Sequence, residues 1–137
     1  MKRRSLVLFA LAGAIPFAAV QAHHSIAAVY DSARQITVEG TVTEFQFVNP
    51  HPVLIIAAVT DGGEPQQWRL EMDNRSELVE IGITAETFKA GDRVVASGSA
   101  ARTKMPGLYL LKLDRPADGL LYEQIGYSPR INIHTEG

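Results

Sequence analysis

Histidines are the residues of this chain best suited to metal chemistry, since it has four of them and no cysteine. His23 and His24 are adjacent, His51 is held between Pro50 and Pro52, and His134 stands near the C-terminus. A histidine at a free N-terminus differs from any other, because its α-amine and its own ring Nδ1 can close one chelate around a metal ion. The α-amine titrates at about 7.7–8.0, so it can release its proton to a metal at neutral pH. Nitrogen-only ligands of this kind suit Cu(II), and affinity among divalent ions peaks at copper. The amide of His24 lies one residue from the amine, and one further imidazole completes the set. His51 is the best third ligand, since its two flanking prolines leave it little freedom to lose. Met72 and Met105 offer thioethers to Cu(I), although core and loop packing accounts for each more simply.

The chelate depends on a cut in front of His23, and residues 1–22 read as a leader that is removed. Lys2, Arg3 and Arg4 form a positive start, an apolar run follows from Leu6 to Val20, and Val20-Gln21-Ala22 ends it. Those are the three parts of a secretory signal peptide. A spanning helix needs about 20 predominantly apolar residues, whereas this run is shorter and contains Pro16. Cleavage after Ala22 makes His23 the first mature residue and places the product in the periplasm or outside the cell, without membrane insertion. A cut one residue earlier would give Ala-His-His, also a copper chelator, but Gln21 is a poor residue to precede it. In a plainer reading the histidine pair is a polar spacer, His51 is a hydrogen-bonded turn residue and His134 is solvated.

Removing the leader takes Lys+Arg from 13 to 10 against 15 Asp+Glu, so the net charge moves from −2 to −5. A mildly acidic chain without a basic cluster is a poor partner for nucleic acid or anionic lipid. With no cysteine it folds without a disulfide, and its length suits a single core. Catalytic arrangements are weak. Glu71, Asp73 and Glu77 fall close together and paired carboxylates can do acid–base work, but a solvated charged face explains them more cheaply. No nucleophile-elbow pattern surrounds Ser25, Ser76, Ser97 or Ser99. A copper oxygenase would need a more extended substrate face than so small a chain provides, and the expectation is a protein that is not an enzyme.

The elements that must position these residues are mostly strands. In "QITVEGTVTEFQFV" the apolar positions alternate through Ile36, Val38 and Val42, then slip to Phe45 and Phe47, which predicts a strand with a bulge or bend near Glu44. "NPHP" is a turn, "VLIIAAV" a buried strand, and "QQWRLEM" its hairpin partner across Asp61-Gly62-Gly63-Glu64-Pro65. "NRSELVEIG" predicts a short helix from a cap at Asn74 to Gly82, and "TAETFKAGD" a further helical turn. "DRVVASGSA", "GLYLLKLD" and "GLLYEQI" return to strand around a polar loop, "ARTKMPG". Trp68, Tyr109 and Tyr122 could stack a ligand on a barrel face, but as strand residues are more often core. The expected fold is mainly β: an oligonucleotide/oligosaccharide-binding (OB)-like barrel or roll of five to six strands with a helical insert after the third. A two-sheet sandwich is the alternative. The expected organisation is a signal peptide over 1–22, an N-terminal segment over 23–34, a barrel over 35–126 and a flexible tail over 127–137.

"AHHS", "VEGTVTEFQFVNPHPVLI", "WRLEM" and "FKAGDRVVASGSAAR" together resemble a family of small exported bacterial proteins known as a domain of unknown function. The resemblance runs from Ala22 to about Gly119. It departs at Ile26, Phe47, Pro52 and Ile83, where relatives more usually carry an aromatic, Trp, Ala and Trp. It implies export and a small β-rich fold, and brings no activity with it. The functional expectation is an exported binding protein that holds copper through His23, His24 and His51. The alternative is a barrel module that binds a protein or small ligand without metal.

Overall fold

The computed structural model describes residues 26–60 and 62–133. A helical turn over 26–29 leads into β1, Tyr30–Gln46, the longest strand. β1 serves two neighbours: its first part pairs with β4, Arg93–Ala101, and its last part with β2, Val53–Ala58. The changeover falls at Gly40, which pairs with both Ala58 and Val94. A Cβ there would lie 2.4 Å from the Ala57 carbonyl oxygen, so only glycine lets the strand curl so close to its neighbour. The bend expected near Glu44 is present as a register shift between Val42 and Glu44.

β2 and β3, Gln66–Glu71, form the expected antiparallel hairpin. Helix α1, Arg75–Glu80, follows with Asn74 at its N-cap and Gly82 just past its end at φ 95°. Residues 84–91 form turns rather than a second helix. β4 then pairs with β5, Gly107–Arg115, and β5 pairs in parallel with β3 through Arg69↔Gly107 and Glu71↔Tyr109. That contact closes the ring β1–β2–β3–β5–β4, with the helix between the third and fourth strands. The ring is an OB-like barrel.

Two expectations change at the ends of the chain. The strand expected from Gln35 begins at Tyr30, so residues 30–34 belong to the barrel and not to a separate N-terminal segment. They escape alternation analysis because they form a bulge: pairing runs Tyr30↔Ala101 and Asp31↔Ala100, then resumes at Gln35↔Ser99. The expected flexible tail also contains structure. β6, Leu120–Ile125, turns back at Gly126 into β7, Ser128–Ile133. Gly126 has φ 59°, as a two-residue hairpin turn requires. Pro129 is tolerated because β7 is an edge strand. The described residues therefore hold seven strands where five to six were expected.

The core lies inside the ring. Val38, Val42, Leu54, Ile56, Leu70 and Leu110 point inward from the strands, and Leu78, Ile83 and Phe88 join them from the β3–β4 connection. Phe45 meets Phe88 edge-on at 5.1 Å. Met72 and Tyr122 are fully buried here, so both are packing residues, while Met105 is exposed in the β4–β5 loop.

Candidate functional site

The chain concentrates its polar chemistry where β3 runs into α1. The β1–β2 turn is tied to this junction by two backbone bonds: Met72 N donates to Pro52 O and Arg75 N to Pro50 O, each at 2.9 Å. Between them, His51 Nδ1 lies 2.9 Å from the Met72 carbonyl. A carbonyl only accepts, so Nδ1 carries the hydrogen, and in the neutral ring Nε2 keeps the lone pair. Metal-bound imidazoles are commonly oriented by a hydrogen bond of this type.

The three carboxylates beside it are not the solvated face that their spacing suggested. Glu71 Oε2 accepts from the hydroxyl of Tyr30. Asp73 is only 7% exposed; its two oxygens accept from Asn74 N and from Gln124 Nε2, both at 2.7 Å. Gln124 in turn accepts from the Tyr122 hydroxyl at 3.0 Å, so β6 reaches across to hold this carboxylate. Glu77 stands next to Asp73. Loss of hydration, a hydrogen bond to Asp73 and that residue's negative charge raise its pKa to about 7, with His51 pulling the other way. Burial first, then the nearby carboxylates, pushes Tyr30 and Tyr109 above the normal phenol range.

Asp73 also lines a cleft of about 540 Å³. Tyr30, Tyr109 and Tyr127 wall it, Leu111 adds apolar surface, and Ile26 and Ala27 of the leading helical turn stand at its mouth. Tyr30 and Tyr109 lie 5.9 Å apart, centroid to centroid, tilted by 42°. Arg102 sits at the exposed rim, its Nε donating to Ala27 O at 3.0 Å.

Of the residues that the sequence offered, His51 is at this junction and Tyr109 is in the cleft. His23, His24 and His134 lie outside the described residues, as does the expected cleavage point. Among the described residues no group of three or more His, Cys, Asp or Glu is placed to hold a metal ion. Tyr30, Gln124 and Tyr127 carry no local sequence signal, because strand pairing alone brings β1, β5 and β6 together at this point.

The fold and site define a small OB-like barrel with a tyrosine-walled cleft beside the β3–α1 junction. A family model described as a family of unknown function, DUF6152, matches residues 12–109, and the chain belongs to that family. The match ends in β5 at the last residue of the parallel pairing with β3, before β6 and β7. No curated protein and no solved structure matches the chain.

Proposed function

We propose that this is an exported periplasmic binding protein, not an enzyme, that holds copper between His51 and a processed N-terminus beginning at His23. The observation that carries the reading is the bond from His51 Nδ1 to the Met72 carbonyl, which fixes the ring and leaves Nε2 as an available donor. The imidazole is the barrel's contribution; the α-amine and ring of His23 and the amide of His24 supply the rest. Chain geometry is compatible with this. Ile26 lines the same cleft as Asp73, the residue after Met72, and the three residues from His23 to Ile26 can span roughly 10 Å.

Intact-mass measurement of the exported protein, followed by Cu(II) titration of it and of His51→Ala, tests the reading. A mature N-terminus at His23 and an affinity at least about tenfold weaker in the variant, or about 1.4 kcal/mol, are expected. Unchanged affinity removes His51 from the site, and retention of the leader removes the chelate. A second reading, a non-metal interaction module, is favoured by one observation, the cleft itself. Its size falls in the range of small-ligand pockets, about 300–1,000 Å³.

A further inference from the structure

The same cleft has a chemical bias that narrows what it would take. Asp73 presents a buried carboxylate on its wall, and among the described residues no lysine or arginine lies within ion-pairing distance of it. Its oxygens accept from Asn74 N and Gln124 Nε2, neither of which is a charged donor. A carboxylate has about four acceptor positions, so Asn74, Gln124 and the neighbouring Glu77 carboxyl still leave room for one donor from a ligand. Glu71, two residues earlier at the end of β3, adds negative charge and is engaged by Tyr30. The positive residue of the lining, Arg102, is exposed and turned to the Ala27 carbonyl. Charges at the rim are screened by water and salt far more than charges on the inner wall. The potential inside the cleft is therefore set mainly by Asp73 and its neighbours.

Aromatic surface adds to the same preference. The rings of Tyr30 and Tyr109 are tilted to one another, and Tyr127, 74% exposed, adds a third aromatic residue to the lining. Aromatic faces attract cations held within about 6 Å of the ring centre, more strongly when water is displaced. Ser99 and Gln35 supply further hydrogen-bonding groups.

We propose that the cleft between β1, β5 and the β6–β7 turn is a binding site for a small organic ammonium ion with an apolar or aromatic body. The ammonium group pairs with Asp73 and the body lies against Tyr30, Tyr109 and Tyr127. This inference rests on the second reading above and is independent of copper at His51.

Calorimetric titration of the metal-free purified protein with tryptamine, tryptophol and indole-3-propionate separates the two. All three share one ring system and differ in ending as cation, neutral hydroxyl or anion. Tryptamine is expected to bind about tenfold or more tighter than tryptophol, a difference of about 1.4 kcal/mol, and Asp73→Asn, which removes the charge but keeps one of the two acceptor oxygens, should erase that preference. Tyr127→Ala, at a 74%-exposed position, should weaken tryptamine about two- to fivefold, with thermal unfolding confirming that the variant is folded. Equal or better binding of tryptophol or the acid overturns the cationic preference and leaves the cleft reading standing. Absence of saturable binding by any of the three overturns both. Tryptamine binding untouched by Asp73→Asn and by Tyr127→Ala places it elsewhere and also overturns the proposal.

Discussion

Replacing Glu77 with Gln mimics its protonated form and removes its ability to ionise. In the folded protein the Glu77 carboxyl titrates at about 7 rather than the usual 4.5. Between those values the folded chain holds a proton that the unfolded chain has released, so stability falls as pH rises through this window. The full difference corresponds to roughly 3 kcal/mol at 1.36 kcal/mol per decade. Glu77 is only half-buried, and solvent screening reduces this to about 1–2 kcal/mol. Glu77→Gln should therefore match the parent near pH 4, gain progressively between about pH 4.5 and 7, and be more stable by about 1–2 kcal/mol at pH 8. Urea unfolding followed by the fluorescence of Trp68, the single tryptophan, at pH 4, 6 and 8 measures the difference. A gap of constant size across that range, or a variant less stable than the parent at pH 8, refutes the account of the Asp73–Glu77 pair.

Gly98→Ala should cost about 3 kcal/mol or more, since the new Cβ would fall 1.9 Å from the Tyr109 carbonyl oxygen on β5; Gly63→Ala, whose Cβ meets ordinary contact at 3.6 Å, should stay within about 0.5 kcal/mol. Both are read by thermal unfolding. Arg115→Met should lose about 3 kcal/mol, because the 13%-exposed guanidinium bonds Asp92, Asp118 and the Thr87 carbonyl at once. Its exposed counterpart, the Arg93–Glu39 pair, should lose less than about 1 kcal/mol on Arg93→Gln, and a comparable loss at both sites would contradict the burial argument.

Local patterns were legible wherever one face of an element is apolar and the other wet. The β2–β3 hairpin, α1 with its stop at Gly82, and the bend near Glu44 all follow from alternation or capping. The OB-like order followed from element count and the position of the helix. Residues 30–34 were not legible, because a bulge cancels the period-two pattern. β7 was hidden by Pro129 and by having only Ile131 and Ile133 as apolar members. The site was half legible. His51 stood out through its prolines, whereas Asp73 looked like one charge among three. Its side-chain partner is Gln124, fifty-one residues away on β6, and no spacing rule connects those two positions. Tyr30 lies within sight of the histidine pair, but only closure of the barrel places it against Tyr109.

The parallel seam between residues 69–71 and 107–109 also orders events during folding. Hairpin neighbours can zip from their turns, but this junction joins segments almost forty residues apart and, like the still more distant β1–β4 pairing, must absorb loop-closure entropy before it returns any contact. A chain stopped short of Gly107 would keep two raw strand edges and could satisfy them by associating with another molecule. Arrival of β5 as far as Tyr109 is thus what converts two open edges into a closed ring.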